Sequence, residues 1–468
     1  MRSEEDWQRL EQENQALREM VAILQLQVQQ LQDQLSKNSR NSHLPPSSDR
    51  FSRQPKSLRK SSGKKPGGQT GHQGNTLCVQ EDPDEVVLHQ VTQCQHCQEN
   101  LRDYAPLLLE RRQVIDLPAK RVHVIEHQRE SKLCPTCHQL SQARFPEGVT
   151  APVQYGPAFA ATAVYLVHQH FLPSERACEL MHDLLGHSMS TGALQALVQR
   201  CATNLLPVEA QIKAALRLAD VLHNDESGCY VMGQRHWVHV SSTPTLTHYA
   251  CHAKRGREAL EAIGIMPTFG GVSVHDGWKS YQGYACEHAL CNVHHLRELT
   301  FVAEEHQQAW AKDLKDLLLS MKAHVDQAKA TGHDRLDPSV FEQLLKQYQE
   351  LLRQGDEANP RELAPPEKKR GKAKQSPARN LLSRLCTQQD AVLRFLSDFN
   401  VPFDNSQAER DIRMLKVQQK ISGCFRSLLG VQAFCRIRGY LSTLRKQGMN
   451  VLTALEMACA GHPVLPSF

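Results

Sequence analysis

The sequence predicts a mixed α/β chain with a long N-terminal helix and a helical block late in the chain. Four short strand-like runs, VLHNDES, HWVHVSS, THYACHA and GVSVHDG, follow one another between residues 218 and 300. Apolar residues recur at helical spacing in 151–215 and again in 310–355. Of the 468 residues, 40% are hydrophobic and 22% are charged, so most of the chain can bury a core.

Composition argues against membrane and secreted proteins. The longest apolar stretch, residues 156–167, is shorter than the roughly 20 residues that cross a bilayer, so we expect no membrane association. The opening residues, MRSEEDWQRLEQEN, are too polar for a secretory leader, and we expect a cytoplasmic protein. The 15 cysteines are then expected to be reduced thiols or metal ligands.

Residues 1–36 carry a heptad repeat that predicts a coiled-coil, leucine-zipper-like dimerisation helix. The repeat places Leu at d positions, and its a positions include two Val residues and one Asn. Its core residues are Leu10, Asn14, Leu17, Val21, Leu24, Val28 and Leu31. This pattern favours a parallel two-stranded coil whose register the Asn fixes. An amphipathic helix packed on its own domain remains the alternative interpretation.

Residues 37–75 read as a flexible basic arm. Seven Lys or Arg and no acidic residue lie between positions 50 and 74, and Arg59, Lys60, Lys64 and Lys65 are among them. Gly and Pro prevent a continuous helix, and such a cationic segment can lie along DNA phosphates. A merely solvated linker is the alternative.

A second basic, Pro-containing stretch spans 361–379. We interpret it as an exposed loop near DNA, and a plain linker fits nearly as well.

Residues 76–150 contain two cysteine pairs, Cys94-x2-Cys97 and Cys134-x2-Cys137, among short β elements. Four thiolates can hold one structural Zn²⁺ tetrahedrally, which predicts a small zinc-binding β module. The 36 intervening residues exceed the commonest spacing, and reduced thiols or a redox pair are the alternatives. The neighbouring His96 and His138 are expected to stay outside a site that four thiolates already close.

Three acidic residues stand out by position. Asp225 follows VLHN and Asp276 follows GVSVH, each at the predicted end of a strand, while Glu409 opens a predicted helix with Asn405 or Ser406 as its N-cap. Two strand aspartates and a helix glutamate are how a ribonuclease-H-like core holds two Mg²⁺ ions for phosphodiester chemistry. Acidic residues at strand ends are common in α/β proteins, so the pattern alone is a weak signal.

A run of cations follows Glu409, comprising Arg410, Arg413, Lys416 and Lys420. The last three share a helix face, which beside a metal site would meet DNA phosphates. An ordinary solvated helix face is the alternative.

Two further histidines, His294 and His275, lie near the acidic residues in the sequence. Cys291-x2-His294 supplies only two ligands, half a metal site, so we expect His294 to support the site or contact DNA. His275 is expected to pack in the core.

Several longer motifs resemble those of a known family. HNDES, VHDGWKSY, CNVHHLREL and PFDNSQAERDIRMLKVQQKISGCFRS resemble the catalytic-domain motifs of bacterial DDE transposases of the insertion-sequence-sixty-six type. The N-terminal heptads, the KNSRNSHLPPSSD segment, the KKPGGQTGHQG arm and the paired CxxC motifs stand in the family's order. The resemblance therefore covers nearly the whole chain. Asn224, Ser227, Trp278 and Ser406 depart from the family pattern without removing a carboxylate.

The resemblance implies a fold and a division of the chain. The fold class is α/β, with a ribonuclease-H-like catalytic core that contains a helical insertion and follows a coiled coil and a zinc module. The further parts would be a helical segment at 151–215 and the first part of the core at 216–300. A helical insertion with the basic linker would follow at 301–400, and the catalytic Glu helix with a C-terminal helical element at 401–468.

The resemblance also implies an activity. Asp225, Asp276 and Glu409 would bind Mg²⁺ or Mn²⁺ and catalyse DNA cleavage at transposon ends and strand transfer into target DNA. The arm and the zinc module would bind double-stranded DNA at terminal inverted repeats. A homodimer or higher oligomer would pair two ends at the bacterial nucleoid. In this family, accessory proteins encoded by the same element are commonly expected. The rival interpretations are a non-catalytic DNA-binding protein and an inactive transposase relative. A basic-zipper regulator is disfavoured because its basic region precedes the zipper.

Overall fold

The computed structural model describes residues 4–38, 41–42, 81–103, 105, 108, 110–113, 122–137, 139–361 and 375–467. Two compact units divide the chain: Ser57–Ile125 forms one, and Met1–Lys56 together with Glu126–Phe468 forms the other. Arg59, Lys60, Lys64 and Lys65 of the predicted arm lie outside the described residues, as do positions 362–374 of the second basic stretch.

A first group of elements in the larger unit precedes the main sheet. Its members are α1 (Glu4–Ser36), the hairpin strands β1 (Ser131–Leu133) and β2 (Leu140–Gln142), and the helices α2 (Pro157–His168), α3 (Ser174–Leu185), α4 (Thr191–Asn204) and α5 (Leu206–Arg217). Pro stands in the first turn of α2 and α5, where its missing N–H costs no hydrogen bond. Ser190 caps α4 by accepting from the backbone N–H of Ala193.

A five-stranded mixed sheet lies at the centre of the larger unit. Its strands are β3 (Val221–Val231), β4 (Gln234–Ser242), β5 (Thr247–His252), β6 (Val272–His275) and β7 (Glu287–Leu290), with a short helix α6 (Arg257–Ile263) between β5 and β6. The spatial order is β5-β4-β3-β6-β7. The first three strands form an antiparallel meander, and β6 and β7 run parallel to β3. All four strand-like runs of the sequence are therefore confirmed as strands.

Five helices between β7 and the C-terminal region form a separate hydrophobic core. They are α7 (Asn292–Glu305), α8 (Ala309–Ala330), α9 (Pro338–Ala358), α10 (Pro377–Thr387) and α11 (Gln389–Ser397). The apolar face predicted for α8 is buried from Leu314 to Val325, and Leu344, Tyr348 and Leu352 of α9 are buried against it. The helices that the sequence predicted in 310–355 are thus observed as α8 and α9.

Three C-terminal helices complete the larger unit: α12 (Ser406–Ser422), α13 (Leu428–Lys446) and α14 (Val451–Cys459). Ala408, Ile412 and Leu415 of α12 pack in a cluster with Val238 and Val240 of β4. This packing lays α12 across the sheet. α13 and α14 share a second core with α2–α5.

The N-terminal helix α1 leaves its heptad leucines exposed. Leu17, Leu24 and Leu31 are 58%, 52% and 59% exposed. The last turn of α1 contacts the end of α7 through Asp33, whose Oδ1 lies 3.2 Å from Nε2 of His306. Along most of its length the described apolar stripe therefore faces solvent. No helix within the described ranges is long and apolar enough to cross a membrane.

Candidate active site

The three predicted carboxylates share one pocket of about 400 Å³. Its wall consists of acidic, cationic and aromatic side chains together with a glycine and an asparagine. They are Asp225, Arg255, Asp276, Gly277, Trp278, His294, Asn405 and Glu409. Residues of β3, of the loops that follow β5 and β6, and of the N-terminal ends of α7 and α12 thus converge at one place beside the sheet.

Asp225 lies within β3 rather than at its end, so that detail of the sequence prediction is wrong. β3 pairs with β6 only as far as His223, whereas its antiparallel pairing with β4 continues to Val231. The strand therefore outlasts its parallel neighbour, and Asp225 stands where the sheet opens beside β6. Burial and the charges of Glu226 and Asp276 raise the pKa of Asp225 well above its ordinary range.

Asp276 directly follows β6, as the sequence predicted. Its Oδ1 accepts a hydrogen bond of 2.9 Å from the backbone N–H of Trp278. Gly277 between them has φ +90°, a left-handed conformation that side chains other than glycine rarely adopt. The Asp-Gly turn therefore fixes the exposed carboxylate at the pocket mouth.

Glu409 lies in the first turn of α12, as predicted. Burial raises the pKa of its carboxyl group, and the positive charges of Arg297 and Arg413 oppose that rise. Asn405 stands at the N-cap position, but the side chain that receives a backbone N–H there is Asp404, from Ser406 at 2.8 Å. Asn405 is therefore confirmed as the N-cap residue, although its side chain makes no capping hydrogen bond because it is engaged elsewhere.

Asn405 anchors the start of α12 to the sheet. Its Nδ2 donates to the backbone oxygen of Asn224 at 2.8 Å, and its Oδ1 lies 2.9 Å from Nδ1 of His223. The side chain of Asn224 in turn bonds Ser241 and Ser273 on the flanking strands. This buried polar network sets the position of Glu409 relative to Asp225.

Arg255 is a pocket residue that the sequence did not single out. Its Nε donates to Glu226 Oε1 at 2.8 Å, and the Glu226 side chain is only 2% exposed. The guanidinium also lies 5.0 Å from the ring centroid of Trp237, and Tyr281 donates to the other oxygen of Glu226 at 2.6 Å. A buried carboxylate thus holds one cation beside the three acids.

The predicted basic residues of α12 are all exposed, but they differ in their contacts. Lys416 Nζ donates to the backbone oxygen of Gly228 in β3 at 2.9 Å, and Arg410 donates to Gln407 at 3.2 Å. Arg413 is close enough to Glu409 to affect its pKa. Lys416 therefore ties α12 to the sheet, while Arg413 belongs to the surroundings of the pocket.

Cys291 and His294 find a third potential ligand in Glu409. One donor atom from each of the three residues lies within 4.8 Å of the other two. Oε1 of Glu409 is 3.9 Å from both Cys291 Sγ and His294 Nε2. Burial and the Glu409 charge raise the pKa of the Cys291 thiol to about 12. Glu409, 118 positions after Cys291, thus adds a third potential ligand to the pair that the sequence shows.

His275 packs in the core, as expected. Burial lowers the pKa of its imidazole to about 3. Its Nδ1 accepts from the backbone N–H of Gly277 at 3.0 Å, and its ring stacks on Tyr281. The neutral imidazole therefore supports the turn that carries Asp276.

Each predicted zinc-binding cysteine pair occupies a tight turn. The backbone N–H of Cys94 donates to Glu99 and that of Cys134 to Gln139, five residues on in both cases. Hydrogen bonds from the backbone N–H groups of Cys97 and His96 lower the pKa of the Cys94 thiol, and those from Cys137 and Thr136 lower that of Cys134. The two pairs belong to different compact units, so a shared Zn²⁺ stays a prediction. His138 lies outside the described residues.

Comparison with known proteins identifies the family. One family model, described as a family of unknown function (DUF6444), matches residues 3–77. No curated protein matches the chain. The model of the Transposase IS66 family matches residues 152–433, which include the sheet, the helices α7–α11, the pocket and the start of α13. Since this match covers more than half of the sequence, the chain belongs to the IS66 family of transposases.

Proposed function

We propose that this transposase cleaves DNA at the ends of its element and joins the freed 3′-hydroxyl groups to target DNA. Asp225, Asp276 and Glu409 would hold the divalent cations that the reaction requires. The proposal also assigns the sheet to the ribonuclease-H-like class. The strand order β5-β4-β3-β6-β7, with an antiparallel meander and two parallel strands, supports that assignment.

The observation that carries the proposal is the shared pocket of the three carboxylates. Burial and mutual repulsion raise the pKa of Asp225 and burial raises that of Glu409, so the acids lack enough nearby positive charge. Carboxylate oxygens are the ligands that Mg²⁺ and Mn²⁺ prefer. The donor set therefore fits divalent cations, which would activate the attacking oxygen and stabilise the leaving oxygen.

The surrounding residues would orient DNA. Arg255 is fixed by Glu226 and presents a cation to the pocket, where it could bind a phosphate oxygen near the scissile bond. Asn405 holds the start of α12, and so keeps the Glu409 side chain at the pocket wall. Arg413 and Lys420 would contact phosphates along the exposed face of α12.

The N-terminal parts would bring two ends together. The exposed leucines of α1 fit a second copy of the same helix in a parallel coil. A lone helix gains little stability from such an uncovered stripe. The arm, with Arg59, Lys60, Lys64 and Lys65, and a zinc module of Cys94, Cys97, Cys134 and Cys137 would bind the terminal repeats.

The proposal is tested by Mg²⁺-dependent cleavage of DNA that carries the element's own ends. We expect Asp225→Asn, Asp276→Asn and Glu409→Gln each to abolish cleavage while binding of end DNA persists. Asp316→Asn, an exposed substitution on α8, is the matched control and should cleave as the unaltered protein does.

Two results would contradict the assignment. Cleavage retained in the three carboxylate variants would place the chemistry elsewhere. Binding of end DNA with no cleavage by the unaltered protein, in either Mg²⁺ or Mn²⁺, would favour the rival interpretation of a transposase relative that only binds DNA.

A further inference from the structure

Cys291, His294 and Glu409 form a cluster whose chemistry differs from that of the three-carboxylate site. It combines a thiol, an imidazole and a carboxyl group, each offering one ligand atom. Thiolate and imidazole ligands select borderline-soft cations such as Zn²⁺, whereas Mg²⁺ prefers oxygen alone. Three protein ligands with one open position are also the pattern of accessible zinc sites.

The spacing of the donor atoms suits a tetrahedral ion. Zn–S bonds of about 2.3 Å and Zn–N or Zn–O bonds of about 2.0 Å place such donors roughly 3.3–3.6 Å apart. The two measured separations from Glu409 Oε1 are 3.9 Å, and no pair exceeds 4.8 Å. Side-chain shifts of an ångström or less would therefore complete the geometry.

The backbone around Cys291 favours a bound thiolate. Cys291 is the N-cap of α7, and its Sγ accepts the backbone N–H of Asn405 at 3.2 Å. A backbone N–H directed at sulfur stabilises negative charge there, as does a helix N-terminus. His294 follows in the first turn of the same helix, on the side that reaches Glu409.

The cluster is accessible through the pocket. His294 and Glu409 line the pocket wall, whereas Cys291 is buried behind them. An ion could therefore enter from the pocket, and its open coordination position would face the pocket.

We propose that Cys291, His294 and Glu409 form a Zn²⁺ site that shares Glu409 with the three-carboxylate site. A carboxylate held by Zn²⁺ at this cluster is withdrawn from Asp225 and Asp276. Zn²⁺ would therefore inhibit Mg²⁺-dependent cleavage, and this second part rests on the proposed function. In the opposing interpretation the cysteine and histidine only orient Glu409 by hydrogen bonding.

The binding test uses Co²⁺ added alone to the full-length protein with its purified zinc content unchanged. A thiolate bound to Co²⁺ gives a ligand-to-metal charge-transfer absorption in the near ultraviolet. We expect one further equivalent of Co²⁺ to produce this band in the unaltered protein and in Cys286→Ser, a control at another buried cysteine. Cys291→Ser should lose the band, and His294→Gln should weaken Co²⁺ binding at least tenfold.

The second readout is inhibition of cleavage by Zn²⁺ at fixed Mg²⁺, relative to each variant's own uninhibited rate. Cys291→Ser should require at least tenfold more Zn²⁺ for half-inhibition than Cys286→Ser does. The His294→Gln variant, altered at a half-buried side chain, gives the same comparison if Cys291→Ser folds poorly.

The two proposals fail separately. Absence of the Co²⁺ band in the unaltered protein, or an equal band in Cys291→Ser, would overturn the zinc site whatever the cleavage assay shows. Equal Zn²⁺ inhibition of the variants and the control would overturn the sharing of Glu409. A protein that shows the Co²⁺ band but never cleaves DNA would keep the site and refute the proposed function.

Discussion

The guanidinium carbon of Arg255 lies 3.9 Å from the centre of the Trp278 ring, at the mouth of the acidic pocket. A cation this close to an indole face is attracted by the ring and restricted in its movement. Glu226, whose side chain is buried, also fixes the same guanidinium through an ion pair of 2.8 Å. Arg255 is therefore held rigidly next to the carboxylates, where it could bind a DNA phosphate as well as stabilise the fold.

Substitution of Arg255 separates these two roles. Arg255→Ala should lower the free energy of unfolding by about 3–5 kcal/mol, because it leaves the buried Glu226 carboxylate without a positively charged partner. The double variant Glu226→Gln/Arg255→Met removes both charges and should recover most of that loss in denaturant unfolding.

Cleavage should stay impaired in the double variant. The loss of one charge-assisted hydrogen bond to phosphate, about 1.5–3 kcal/mol, lowers kcat/KM roughly ten- to hundredfold. A double variant that folds stably and cleaves at the unaltered rate would show that Arg255 serves the fold alone.

Local patterns predicted the elements of this protein better than its long-range contacts. Asp276 and Glu409 stand where strand and helix periodicity placed them. Arg255 carries no local signal, since its partner Glu226 is 29 positions away and its loop shows no periodicity. The joining of Glu409 to Cys291 depends on how α12 packs against the sheet, which spacing within either segment cannot reveal. The sequence pattern ends the strand near Asp225, whereas β3 continues to Val231. The length of β3 depends on its pairing with β4, which the periodicity of one segment does not reveal.

Glu209 makes stability depend on pH. Burial by itself would raise the pKa of this carboxyl group, but hydrogen bonds from His248 and Arg436 outweigh it and lower the pKa to about 2. The folded state thus binds the proton more weakly than the unfolded chain, whose Glu pKa is about 4.3. This stabilisation is present above pH 4.3 and is lost as the pH falls toward 2.

The Glu209→Gln variant should therefore be less stable than the unaltered protein at neutral pH, by about 3 kcal/mol from a shift of this size. The difference should shrink as the pH approaches 2, and denaturant unfolding at several pH values measures it. Glu456→Gln, at an exposed site on α14, should show no such trend. A constant difference between Glu209→Gln and the unaltered protein at all pH values would contradict the ion-pair explanation.

The exposed stripe of α1 predicts a change in oligomeric state. Leu17→Lys with Leu24→Lys places two charges in the seam and should convert the full-length protein to a monomer in light scattering. Gln12→Lys with Gln15→Lys adds the same charge outside the a and d positions and should leave the dimer intact. If both double variants have the mass of the unaltered protein, the seam does not join the copies.

The two CxxC motifs of the sequence predict one structural zinc per chain. In Cys134→Ser, elemental analysis should find one zinc fewer than in the unaltered protein, because three thiolates hold Zn²⁺ less tightly than four. Binding of terminal-repeat DNA should weaken with it, since the module would lose its ordered turns. Cys386→Ser, at an exposed cysteine of α10, should keep both zinc and DNA binding. Equal zinc content in the two variants would mean that Cys134 is an ordinary thiol, and the terminal repeats would then have to be bound without this module.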